Sequence, residues 1–289
     1  MKISNEEQEF VKEILKSIEG CNNLKVCLVG NGYTANVWKI SDDLCLKVST
    51  NLNLPNIPKE FKSCENLCVP LKTYYSKSGR YVGIVQKFLK FGNLQSLIKK
   101  KNKLSEEQVR SILFDIIKGL NVIHKAGFVH RDFHPGNIML AKVKHNINAI
   151  IIDFDEMESM TLQTKACFRY SGYQAPEIVF DGDMYDDRSE MFVLGIIAWE
   201  LVFGECPFGG YNFFSKVIEH SWNKYLENSE FYNNNVKKAL RTLPYYMKKE
   251  INVSHELEKL LHSLLEPNRD ERITAEQALL HTFFENEKN

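Results

Sequence analysis

The chain has 289 residues, 44% of them hydrophobic, which suits one large domain or two closely packed lobes, so disorder is not the default reading. Lys plus Arg and Asp plus Glu both number 37, so the formal net charge is zero and no global field selects nucleic acid or an anionic membrane. Partners have to be read from local sites.

The opening MKISNEEQEF lacks the apolar core of a secretory signal. Residues 4–19 predict an amphipathic helix, with Ser4 as N-cap, Glu6 and Glu7 in the first turn, and Phe10, Val11, Ile14, Leu15 and Ile18 at helical spacing before Gly20. From Leu24 to about Val85, short β-type runs (LKVCLVG, NVWKI, LCLKV, YVGIVQ) alternate with Asn, Gly, Asp and Ser clusters. After Gly92 the pattern turns helical. In SEEQVRSILFDIIKGLNVIHKAG, Ser105 reads as a cap, and Val109, Ile112, Leu113, Ile116, Ile117, Leu120 and Ile123 share one face. MFVLGIIAWELVFG is apolar nearly all round, which predicts a helix inside a large lobe; Glu200 interrupts it, and it is too short to cross a bilayer. Asn233 to Asn235 read as a polar loop, and the last helices run through SHELEKLLHSLL and TAEQALLHTFF. The expected fold is α+β and bilobal: an amphipathic helix within 1–22, a β-rich lobe over 23–89, a helical lobe over 90–289, and a hinge near Phe88 to Gly92.

Seven cysteines (Cys21, Cys27, Cys45, Cys64, Cys68, Cys167, Cys206) are odd in number and scattered without a CxxC pair, which predicts reduced, buried packing thiols. A soluble cytoplasmic protein follows as the expectation.

Three stretches carry chemistry. In VGNGYTANVWKI, Gly30 and Gly32 let backbone N–H groups approach anionic oxygens without a Cβ in the way, although paired glycines between strands equally describe a hairpin turn. HRDFHPGN fits H-R-D-x-x-x-x-N with four fixed residues, and IIDFDE and QAPE follow it in order. LCLKV, earlier in the chain, sets Lys47 in a short strand, where a lysine taken alone is an ordinary surface residue. The ordered set spans nearly the whole chain and resembles the eukaryotic-type protein kinases, most closely the serine/threonine branch, in a divergent form.

That resemblance implies ATP and magnesium as cofactors and a protein substrate with a Ser or Thr acceptor, with no nucleic-acid or membrane partner. Gly30, Asn31, Gly32, Tyr33 and Thr34 would form the glycine-rich loop, with Ala35 where its third glycine belongs and Val37 closing it. Lys47 would contact the α- and β-phosphates, oriented by Glu60 or Glu65; Glu60 is preferred because it leaves a turn or two of helix before the next strand, shortened by Pro55 and Pro58. Gln86 takes the gatekeeper position, the main chain of Lys87 and Leu89 faces the purine edge, and Val37, Cys45 and Met139 supply apolar walls. Phosphoryl transfer asks mainly for positioning and charge neutralisation. Asp132 would orient the acceptor hydroxyl and take its proton, while Asn137 and Asp153 offer hard oxygens to a hard cation. Glu177 and Arg272 would form a structural pair.

Several positions depart from the pattern. Asp155 replaces the glycine of D-F-G, where its tolerance of left-handed backbone would keep the turn and its carboxylate would join the metal site. Glu190 stands where an aspartate braces the catalytic loop. His134 replaces the lysine that reaches the γ-phosphate and is expected to stand in for it when protonated, while Arg169 and Tyr170 replace the Gly-Thr that normally meets that lysine. Arg131 implies a phosphate on Ser159, Thr161, Thr164, Tyr170 or Ser171, unless Glu156 and Glu158 supply the charge. An active Ser/Thr kinase leads; a nucleotide-binding pseudokinase is second, and a small-molecule kinase, suggested by HPGN, is third because it needs neither Glu177, Arg272 nor the buried helix.

Overall fold

The computed structural model describes residues 3–18, 26–32, 35–100, 104–143, 146–161, 173–175, 177–178, 185–205, 253–266 and 268–287. Its mixed α+β content divides into a β-rich N-terminal region and a helical C-terminal region.

Helix α1 (Asn5–Ser17) starts where the Ser4 hydroxyl accepts the Glu7 N–H, and it buries Phe10, Val11, Ile14 and Leu15. Those side chains pack on a five-stranded antiparallel sheet built from β1 (Cys27–Asn31), β2 (Ala35–Lys39), β3 (Leu44–Ser49), β4 (Lys72–Tyr75) and β5 (Val82–Lys87), in the order β1-β2-β3-β5-β4. Alternation along β3 sends Leu46 and Val48 into the cluster under α1, and hence Cys45 and Lys47 to the opposite face. The approach of α1 depends on Gly83, because a Cβ there would lie 2.5 Å from Cδ1 of Ile14.

Between β3 and β4 the predicted short helix is only a 3-10 turn, Lys59–Ser63. Pro58 precedes it in an extended conformation and has no N–H to enter a helix, and Leu67 has already bridged to Ile151.

Asn93 caps α2 (Leu94–Lys99). Ser105 and Gln108 form a complete capping box at the head of α3 (Glu106–Lys125), whose seven predicted apolar positions are all buried. A hairpin of β7 (Ile138–Val143) and β8 (Asn146–Ile151) packs on α3, and β6 (Phe128–Val129) pairs with β9 (Glu158–Ser159). Helix α4 (Asp187–Phe203) is buried from Ser189 to Leu201 and stops at Gly204, whose φ of 74° ends it in left-handed backbone. The apolar faces of α5 (His255–Leu264) and α6 (Ala275–Leu279) join the same core, with Phe283 and Phe284 of the closing 3-10 turn.

Cys45 and Cys68 are buried and Cys64 is half-buried, but Cys27 is exposed on edge strand β1, a correction to the reading of buried packing thiols. Cys21, Cys167, Cys206 and the loop at Asn233 to Asn235 lie outside the described residues. Among the described residues no helix is long and apolar enough to cross a membrane.

Candidate active site

Strand β6 delivers the chain into the loop His130 to Asn137. His130 is fully buried and donates from Nε2 to the Ile152 carbonyl at 2.8 Å, which ties the loop to the segment after β8. Arg131 adopts left-handed backbone, φ 66°, and its N–H donates to Oε1 of Glu190 at 2.9 Å. The other Glu190 oxygen meets His124 Nε2 at 2.8 Å, and the Tyr185 hydroxyl donates to Oε1 at 3.2 Å. The longer Glu190 side chain therefore braces the loop from α4 with its carboxylate fully partnered. Burial first, and then the neighbouring Glu190 carboxylate, push the Tyr185 hydroxyl well above the ordinary tyrosine range, so it stays a donor.

Asn137 spends its amide on Asp132, donating at 2.8 Å to both the Asp132 carbonyl and Oδ2. That orientation leaves Asn137 Oδ1 as the atom able to meet a cation. Burial pushes the Asp132 carboxyl up, but the His134 and His130 imidazoles and the Asn137 amide outweigh it and hold it below the ordinary aspartate value. The carboxylate is thus kept as an acceptor.

His134 is held within its own loop. Its ring is buried, Nδ1 accepts the Gly136 N–H at 3.0 Å, and Nε2 lies 3.7 Å from Oδ2 of Asp132. Arg169 and Tyr170, the expected counterparts of His134, lie outside the described residues.

Lys47 is 7% exposed, and its ammonium sits 2.6 Å from Oδ1 of Asp153 and 2.8 Å from Oδ2 of Asp155. Burial would lower its pKa, but the two carboxylates outweigh burial and raise it. Burial pushes Asp155 up, with the like charge of Asp153 adding to it and Lys47 offsetting only part. Glu60 is exposed on the 3-10 turn, and Glu65 is exposed and meets Lys118 at 3.4 Å on α3. The expected Glu60 partnership with Lys47, and its runner-up at Glu65, are both corrected: the short turn leaves Glu60 exposed, Glu65 beyond it faces Lys118, and Lys47 pairs with Asp153 and Asp155 instead. The residue missed was Asp155, although its odd identity at the D-F-G glycine was the visible signal. The backbone also differs from expectation, since Asp153 has φ 68° and Asp155 is not left-handed. Asp155 is therefore accommodated without backbone strain, while Phe154 packs against Phe61 and His130 at 5.8 and 5.5 Å.

On the sheet side, Gly30 and Asn31 lie on β1 and Gly32 follows it, with the Gly32 N–H donating to Ala35 O at 2.8 Å. A Cβ on Gly32 would come within 3.1 Å of that oxygen, so the hairpin itself favours glycine there. Tyr33 and Thr34 lie outside the described residues; Ala35 and Val37 are on β2. Cys45 pairs with Gln86 across β3 and β5. The Lys87 carbonyl receives the Cys45 and Cys68 thiols at 3.6 and 3.9 Å, weak donors that burial keeps protonated by pushing each pKa up to about 11. Leu89 follows β5, and Met139 is half-buried on β7, bridged to Asn93.

A cleft of about 750 Å³ is lined by Arg131, Asp132, Asp153 and Asp155, and a second cavity of about 390 Å³ lies behind Lys47 against Gln86 and Phe154. Among the described residues no cluster of three or more His, Cys, Asp or Glu would cage a metal. One carboxylate and one amide oxygen, Asp153 and Asn137, instead fit magnesium, which commonly keeps waters and substrate phosphates in its shell.

A profile described as Protein kinase domain matches residues 46–284. The chain belongs to the protein kinase family. Among curated proteins, Mitogen-activated protein kinase 13 of Bos taurus is 29% identical over 192 residues, covering 63% of this chain and 52% of the relative. Mitogen-activated protein kinase 12 of Danio rerio is 27% identical over 194 residues (64% and 53%), and Mitogen-activated protein kinase p38b of Drosophila melanogaster 28% over 194 (63% and 52%). The chain spans about half the length of these curated relatives. In this kinase domain, α1, β1 and β2 precede the matched residues, yet the sheet is continuous through β3.

Two further pairs fix the large lobe of the kinase. Arg272 and Glu177 are both buried and form two parallel hydrogen bonds. Arg131 Nη1 donates to Oε2 of Glu158, so the residue marked as a phosphate receptor is engaged by a carboxylate on β9. Ser159 and Thr161 are described; Thr164 and Ser171 are not.

Proposed function

We propose that the chain is an active protein kinase that transfers the γ-phosphate of ATP to Ser or Thr hydroxyls of protein substrates, with magnesium. The observation that carries this reading is Asp132, a carboxylate kept ionised and aimed by Asn137, beside the ion pair of the buried Lys47 with the half-buried Asp153. Asp132 orients the acceptor hydroxyl and takes its proton. Lys47 and the loop around Gly30, Asn31 and Gly32 bind the phosphates, and Asn137 and Asp153 hold the cation, whose role is to neutralise phosphate charge. Val37, Cys45 and Met139 flank the base, and the Lys87 and Leu89 main chain faces its edge, beside Gln86. Free thiols among the described cysteines support an intracellular, cytoplasmic setting.

The decisive experiment incubates the protein with γ-labelled ATP, magnesium and mixed protein substrate, beside Asp132→Asn, followed by phosphoamino-acid analysis. Label in Ser or Thr that falls by about 10²- to 10⁴-fold in the variant is expected.

The two-carboxylate grip on Lys47, in place of a helix glutamate, favours a second reading, a nucleotide-binding pseudokinase. Thermal stabilisation by ATP with no label in any amino acid would establish it. Label confined to small metabolites would point to a small-molecule kinase, a reading disfavoured by the buried Glu177–Arg272 pair.

A further inference from the structure

We propose that Asp155 is the positioning residue for Lys47, performing from the large lobe the task that a small-lobe helix glutamate performs in protein kinases generally. The inference rests on the nucleotide-binding part of the proposed function and deepens it.

A lysine that is 7% exposed cannot keep its charge without an acid at hydrogen-bond distance. Lys47 has two, Asp153 at 2.6 Å and Asp155 at 2.8 Å. Asp153 is also the carboxylate proposed to hold the cation, and a cation draws its oxygens away from the ammonium. Once that happens Lys47 needs another partner. Glu60 is exposed on the Lys59–Ser63 turn, and Glu65 is 74% exposed at its side chain and lies against Lys118. Asp155 alone is already in place, with its side chain 14% exposed.

Asp155 is anchored from the catalytic loop as well as from the turn. Phe154, immediately before it, packs on the His130 ring of the catalytic loop and on Phe61 of the 3-10 turn, and the Asp155 backbone carries no left-handed strain. Both acids that grip Lys47 thus come from one three-residue turn after β8. The usual route to inactivation, swinging a helix glutamate away from the lysine, has no handle here. The exchange is consistent across the molecule: the segment that would carry the glutamate has shrunk to a 3-10 turn, and the glycine of D-F-G has become the missing carboxylate.

The test is magnesium-ATP affinity, measured by calorimetry on the full chain for wild type, Asp155→Asn, Asp155→Gly, Glu60→Gln, Lys47→Ala and the double variant Lys47→Ala/Asp155→Asn. Thermal unfolding confirms that each is folded, and Asp155→Gly, which restores the common glycine, serves if Asp155→Asn is not. Loss of one charge-assisted hydrogen bond predicts about tenfold weaker binding for each Asp155 variant. In the Lys47→Ala background, Asp155→Asn should cause no further loss, because Asp155 acts through the lysine. Unchanged or tighter binding in the Asp155 variants overturns the inference. So does a full additional loss in the double variant, which would make Asp155 a direct ligand of the cation, or a loss in Glu60→Gln equal to that in Asp155→Asn. Affinity rather than transfer is measured, so a chain that binds nucleotide without moving phosphate would overturn the kinase reading and leave this one standing.

Discussion

The Arg272 guanidinium meets the Glu177 carboxylate through two parallel bonds of 2.7 and 2.9 Å, and the arginine has no solvent exposure. Two more of its donors go to the Arg188 and Glu266 carbonyls, each at 2.8 Å, and Ser189 donates to the same glutamate at 2.9 Å. Removing one partner of so closed a network leaves a buried charge without its counterion. Arg272→Met should therefore lower stability by about 3–5 kcal/mol. Denaturant unfolding checks this; a loss under about 1 kcal/mol would put the pair on a par with a surface ion pair.

Arg131 and Glu158 make a second prediction. The side chains are only 14% and 21% exposed, and Glu158 engages the arginine that the family resemblance marks as the receptor of a phosphate. Phosphatase treatment should leave the transfer rate unchanged, whereas Glu158→Gln should lower it roughly tenfold by removing a charge-assisted hydrogen bond. A rate that collapses on dephosphorylation would show that Glu158 does not suffice.

Much of this arrangement is legible in the letters wherever one segment sets its own geometry. The seven apolar positions of α3 and its Ser105 cap required only helical spacing, and the all-round apolarity of α4 already placed it inside a core. Asp132 and Asn137 were readable because their contact spans five residues of one loop. Lys47 was different. Its contact with Asp155 spans 108 positions, and its choice of acid depends on how the chain after Pro58 folds, which no local spacing rule resolves. For His134 the contact is local instead: a backbone N–H only two residues away donates to Nδ1, an interaction that a motif comparison does not register. The left-handed backbone likewise sits at Asp153, two residues before the position where the missing glycine drew attention.

Helix α1 supplies a third prediction. The Glu7 carboxylate is 2% exposed and accepts from Asn36 Nδ2 at 2.9 and 3.0 Å and from Trp38 Nε1 at 3.3 Å. It pins α1 to β2, the strand leaving the glycine-rich turn. Glu7→Ala strands those two donors in the interior and should cost about 1–3 kcal/mol. Chemical denaturation followed by tryptophan fluorescence measures it. An unchanged midpoint would mean that water replaces the carboxylate and that α1 is held by its apolar face alone.

A fourth prediction concerns pH. Burial within α4 pushes the Glu200 carboxyl above its ordinary value, and the hydrogen bond donated by the Tyr173 hydroxyl, 2.7 Å away, pulls it only part of the way back. The folded chain therefore binds this proton more tightly than the unfolded chain does. Glu200 then favours folding most at pH values below its unfolded pKa, and that contribution is lost as pH rises through the folded pKa. Glu200→Gln cannot titrate, keeps an amide oxygen for Tyr173 and removes the buried charge. Its thermal midpoint should exceed that of wild type by more at about pH 8 than at about pH 5, because only the wild type loses stability across that range through this group. A midpoint difference that is flat with pH, or that favours wild type at the alkaline end, would show that Tyr173 stabilises the ionised carboxylate fully and that burial exerts no net penalty there.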